Sequence, residues 1–84
     1  MLADYEKRLK EALNPSELRL IDDSPLHQGH EGAQHAGPIS HLCIEIEAES
    51  LKGLTLVQQH QKIYSLFKAE LESGAIHALR IKVL

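Results

Sequence analysis

The chain has 84 residues and a mass of 9.4 kDa, enough for one hydrophobic core and too little for two. Its 43% hydrophobic and 25% charged residues are ordinary for a globular protein, but a domain this small leaves little room for an enclosed active-site cavity, which argues against large-enzyme chemistry. A net charge of -3 argues against holding nucleic acid mainly by bulk electrostatics while leaving room for a local basic patch, and six histidines beside a single cysteine, Cys43, exclude an internal disulfide framework and a four-cysteine metal site within one chain.

Leu2, Tyr5, Leu9, Ala12 and Leu13 recur at helical spacing among charged residues. They predict an amphipathic first helix that Asn14-Pro15 ends, since the residue before a proline is pushed away from the α region. A short strand follows over Leu18 to Asp22. From Asp23 to Pro38 the composition changes: Pro25, Gly29, Gly32, Gly37 and Pro38 surround His27, His30 and His35, with little apolar content. The expectation is a long loop of the kind that is often functional.

Leu42, Ile44, Ile46 and Ala48 alternate with His41, Cys43, Glu45 and Glu47, the pattern of a strand with one wet face. Ser50-Leu51-Lys52-Gly53 reads as a turn. Val57, His60, Tyr64, Phe67 and Leu71 then give the stripe of a long helix, closed at Ser73-Gly74 where glycine supplies a left-handed cap. Leu79, Ile81 and Val83 alternate with Ala78, Arg80 and Lys82 in a third strand starting near Ile76. The order helix, strand, strand, helix, strand predicts a single α+β domain over residues 1–84, with a three-stranded mixed sheet and both helices on one face. The acidic first residues match neither a secretory signal nor a transit peptide, and no stretch approaches the roughly 20 apolar residues of a membrane span. A reducing, cytoplasmic setting is expected.

The loop histidines His27, His30 and His35 have a spacing that a metal loop can use, and neutral imidazole suits zinc, copper, iron or nickel. Composition alone favours solvated loop residues. His60, on the helix stripe, reads as a half-buried structural residue, and His41 as an exposed or pairing residue at the head of its strand. His77 shares parity with Leu79, which places it on the packed face, although its position at the start of the strand equally places it at the rim. No nucleophile constellation appears: Cys43 has no activator adjacent in sequence, Ser24 lies in no elbow motif, and no glycine-rich phosphate loop follows a strand. Glu45, Glu47 and Glu49 read as a solvated acidic edge. The expectation is a protein that is not an enzyme.

Taken together, Ile21-Asp22-Asp23-Ser24-Pro25-Leu26-His27-Gln28-Gly29-His30, Ser40-His41-Leu42, Gly53 with Val57-Gln58-Gln59-His60-Gln61-Lys62-Ile63-Tyr64, and Ile76-His77-Ala78-Leu79 resemble the BolA family over nearly the whole chain. The resemblance implies a KH-like (class II) α+β fold and an adaptor that partners a monothiol glutaredoxin. Such pairs share a two-iron two-sulfur cluster, for which the glutaredoxin supplies a cysteine and a bound glutathione thiol. The implied role is iron-sulfur cluster assembly or trafficking, or iron and redox regulation, with no cofactor in the isolated chain and a homodimer as its alternative state. The implied ligands here are His77 and one loop histidine, His30 first, then His27, then His35. Histidine in place of thiolate lowers the negative charge around a cluster and can be protonated near neutral pH, which suits a labile, shared site.

Some family members are described as transcriptional regulators, which implies nucleic-acid binding as the alternative. Gln59-His60-Gln61 stands where many members carry Arg-His-Arg, and the Gly-x-x-Gly clamp of true KH domains is absent, leaving Lys62, Lys68, Arg80 and Lys82 as the cations for a phosphate track. A third reading is a zinc or copper site formed by His27, His30 and His35 alone. The chain also stops at Leu84, short of the C-terminal segment many relatives carry.

Overall fold

In the computed structural model, which describes residues 2–24 and 39–84, the first helix, α1, spans Leu2–Leu13. It buries Tyr5, Leu9 and Leu13 and leaves Ala12 exposed, so the buried stripe is narrower than the apolar pattern predicts. Asn14 ends α1 in the left-handed region at φ 47°, which asparagine tolerates better than most residues, and its N–H donates to the carbonyl of Lys10 at 3.0 Å.

Strand β1 spans Glu17–Asp22 and runs antiparallel to β2, His41–Glu47, which pairs in parallel with β3, Ala78–Val83. The order β1-β2-β3 is the mixed three-stranded sheet expected from the sequence. Register converts the period-2 patterns into faces. Leu18 lies opposite Ile46 and Leu20 opposite Ile44, while Leu42, Ile44 and Ile46 lie opposite Leu79, Ile81 and Val83. All eight belong to one apolar face, and a slip of one residue in any strand would turn its apolar set outward. Arg19, Ile21, His41, Cys43, Glu45, Arg80 and Lys82 occupy the opposite face.

A 3-10 turn at Glu49–Leu51 buries Leu51 within the stretch that the sequence pattern reads as a turn. Helix α2, Leu56–Leu66, then starts on a capping box: the Thr55 hydroxyl accepts from the Gln58 N–H, and the Gln58 side chain accepts from the Thr55 N–H. The predicted long helix is two segments. It breaks at Phe67 (φ -115°, ψ 18°) and resumes as α3, Lys68–Ser73, closed by Gly74 at φ 83° as expected.

The stripe Val57, His60, Tyr64, Phe67, Leu71 is also corrected. Val57 is 64% exposed and Tyr64 37% exposed, whereas Ile63 and Phe67 are fully buried. The core-facing row runs through Ile63 and Phe67, an i, i+4 pair with Leu66 and Leu71 packed against it, whereas Val57 and Tyr64 lie about a quarter-turn round the helix from that row. Tyr5, Leu9 and Leu13 of α1 join Ile63, Phe67 and the apolar sheet face in one cluster.

Arg8 ties α1 to the last turns of the helical layer. Its guanidinium donates twice to the Glu70 carboxylate, at 2.9 and 2.8 Å, and once to the Leu66 carbonyl at 2.9 Å. It lies 5.3 Å from the Tyr5 ring centre and 5.1 Å from that of Phe67, while those two rings meet edge-to-face at 5.3 Å. The hydrogen bond from Arg8 holds the Glu70 carboxyl below its ordinary range.

Candidate functional site

Polar groups converge where β2 and β3 begin side by side. His77 lies one residue before β3, and its N–H donates to the Ser40 carbonyl at 2.7 Å; the Ala78 N–H shares the same oxygen at 3.1 Å. The side chain of His77 is exposed. Of the two placements its parity left open, the rim is the one observed, because the residue precedes the paired part of the strand.

His41, the first residue of β2, is half-buried, and its ring lies 6.4 Å from that of His77 with the planes 11° apart. The Ser40 hydroxyl oxygen is 3.1 Å from His41 Nδ1. His41, read from sequence as an edge residue, is therefore a direct neighbour of the candidate ligand. The parallel register, His41 beside Ala78, brings the two imidazoles together, and sequence alone does not give that register.

Beneath them the Ser24 oxygen accepts the backbone N–H of Ser40 at 2.9 Å and that of His41 at 3.2 Å. The Ser24 N–H donates to Asp22 Oδ1 at 2.8 Å, and the Asp23 N–H donates to the His41 carbonyl at 2.8 Å. Ser24 thus acts as a backbone acceptor. Its sequence signal is the Asp-x-Ser spacing, in which a carboxylate two residues back closes a turn.

His27, His30 and His35 lie outside the described residues. His60 is half-buried on α2, with its ring 6.4 Å from that of Tyr64 at 59°. The Tyr64 hydroxyl donates to the Leu79 carbonyl at 2.9 Å and so links α2 to β3. Cys43 is half-buried on the sheet face away from the core, opposite Ile21 and Arg80 in register. Among the described residues no group of three or more His, Cys, Asp or Glu side chains is placed to hold a metal ion. An exposed imidazole at the sheet rim, such as that of His77, can serve as one ligand of a metal site shared with other donors.

The four candidate phosphate-binding cations come from different elements. Arg80 and Lys82 lie on the outward sheet face opposite Cys43 and Glu45, whereas Lys62 and Lys68 sit on α2 and α3. Arg19 approaches Glu45 at 4.0 Å on the same outward face. No described helix is long and apolar enough to cross a membrane.

The family model described as BolA-like protein matches residues 9–84. The chain belongs to the BolA family. The structure of BolA1 from Arabidopsis thaliana superposes with a TM-score of 0.83 at 31% identity, covering 99% of this chain and 88% of that one. The chloroplastic protein BOLA1 of the same plant is 34% identical over 76 residues, which cover 89% of this chain and 47% of that relative. The DNA-binding transcriptional regulator BolA of Haemophilus influenzae is 32% identical over 76 residues, covering 90% of this chain and 68% of that protein. Membership in the BolA family accords with the resemblance carried by segments 21–30, 40–42, 57–64 and 76–79, and the strand order matches the expected α+β architecture.

Proposed function

We propose that this BolA-family chain is a non-enzymatic adaptor that partners a monothiol glutaredoxin and contributes His77 to a shared two-iron two-sulfur cluster. The observation that supports this most is the setting of His77: an exposed imidazole at the head of β3, its backbone fixed by Ser40 and its ring stacked on His41. The donor chemistry fits one end of a shared site, since imidazole is a known replacement for thiolate on one iron of such clusters. When bound, the cluster supplies electron-transfer and cluster-donor chemistry; the residues of this chain supply a ligand and its orientation. The second ligand is proposed to be His30, with His27 and His35 as the alternatives. The test is anaerobic titration of the protein with a monothiol glutaredoxin, glutathione, ferrous iron and sulfide, followed by visible circular dichroism. A spectrum that changes from that of the glutaredoxin alone and saturates at one chain per glutaredoxin supports the proposal; an unchanged spectrum refutes it.

The second reading, DNA binding, is favoured by one observation, the similarity to the Haemophilus relative, a DNA-binding transcriptional regulator. The division of Lys62 and Lys68 from Arg80 and Lys82 weakens it for this chain, as does the net charge of -3. A phosphate-driven complex loses affinity linearly in log salt. A measurable duplex affinity near 0.15 M salt, reduced by replacing Arg80 and Lys82 with glutamine, would establish this reading instead.

A further inference from the structure

We infer that Ser24 is a positioning residue for His77, acting through Ser40; its functional consequence rests on the reading of His77 as a cluster ligand. Ser24 is itself anchored, since its N–H donates to Asp22 Oδ1 at 2.8 Å immediately after β1. Its oxygen then accepts the N–H groups of Ser40 and His41, at 2.9 and 3.2 Å, and the Ser40 hydroxyl donates to it at 3.3 Å. Ser40 is thereby held from one side by a single atom. From Ser40 two routes lead to His77. The Ser40 carbonyl accepts the N–H groups of His77 and Ala78 and fixes the backbone from which the imidazole projects. The Ser40 hydroxyl oxygen sits 3.1 Å from His41 Nδ1, and the His41 ring in turn stacks on the His77 ring at 6.4 Å.

An exposed histidine at the head of a strand would otherwise sample several rotamers, and ligands are oriented by the groups around them. Position 24 specifically needs a hydroxyl. Alanine there would strip two part-buried N–H groups of their acceptor, whereas threonine keeps the oxygen.

The test compares wild type, Ser24→Ala and Ser24→Thr by amide hydrogen exchange of the isolated protein and by visible circular dichroism after anaerobic reconstitution with a monothiol glutaredoxin. Loss of two hydrogen bonds at the clasp predicts His77 and Ala78 exchange faster by on the order of tenfold in Ser24→Ala. Exchange at the central-strand residues Ile44 and Ile46 should stay unchanged. The cluster bands of Ser24→Ala should change in position or sign, and Ser24→Thr should restore both readouts. Exchange that is unchanged at His77 and Ala78, or that rises equally at Ile44, overturns the inference, as does a reconstituted spectrum identical to that of wild type. Should the wild type give no shared-cluster spectrum, the proposed function fails, while the exchange pattern still decides whether Ser24 positions His77.

Discussion

Replacing Glu70 with glutamine keeps the shape of the side chain and one acceptor oxygen but removes the charge that faces Arg8. In the native pair both carboxylate oxygens accept from the guanidinium, and Glu70 is only 18% exposed against 35% for Arg8. Hydrogen bonds to charged groups contribute about 1.5–3 kcal/mol each when shielded, while solvent-exposed pairs are worth about 0.2–1 kcal/mol. Water reaches Arg8, so the cost of Glu70→Gln is placed near the lower range, about 1–2 kcal/mol at neutral pH. For a domain of this size, with a urea m-value of about 1 kcal/mol/M, the midpoint should fall by about 1–2 M. The pH dependence identifies the cause. The hydrogen bond from Arg8 lowers the folded-state pKa of Glu70 below its unfolded value. The stabilisation is therefore complete above the ordinary carboxylate range and is lost as pH falls through the lower folded value. Urea unfolding followed by far-ultraviolet circular dichroism should show the gap between wild type and Glu70→Gln closing as the solution is acidified. A gap that stays constant with pH, or no gap at neutral pH, would refute this account of the α1–α3 tie.

Thr55→Ala removes the oxygen that accepts the Gln58 N–H and should cost about 1 kcal/mol in the same unfolding assay, with β-sheet signals unaffected before the transition. Phe67→Ala opens a cavity at a fully buried site and should cost about 3–5 kcal/mol, enough to leave so small a domain largely unfolded. Val57→Ser should stay within about 0.5 kcal/mol of wild type because Val57 is 64% exposed, although the sequence pattern ranks it with Phe67. Tyr64→Phe deletes the bond to the Leu79 carbonyl and should cost about 1 kcal/mol, read as a lower thermal midpoint.

The sheet was readable because a buried face imposes a period of two, which Leu42, Ile44 and Ile46 and then Leu79, Ile81 and Val83 display without interruption. The helical layer was less so. Val57 and Tyr64 satisfy the helical period, but so do Ile63 and Phe67 on a neighbouring face, and periodicity alone does not say which of two apolar rows faces inward; nor does it mark the break at Phe67. The candidate site was legible in part. The segment around His77 marked one candidate ligand, yet its neighbour His41 lies thirty-six residues away in sequence and meets it only through the parallel register of β2 and β3. The Asp-x-Ser spacing marks a turn at Ser24, but the bonds from the Ser24 oxygen to Ser40 and His41 depend on where the chain returns, which local sequence does not encode.

The central claim is that a nitrogen of His77 binds the shared cluster, and hyperfine spectroscopy reads that bond directly. The chain would be labelled with 15N-histidine, the glutaredoxin left unlabelled, and the reconstituted cluster reduced for pulsed electron paramagnetic resonance. A strong 15N coupling that persists in His60→Ala and disappears or is reduced in His77→Ala is the predicted result. A cluster without 15N coupling, or one whose coupling is unchanged in His77→Ala, would contradict it.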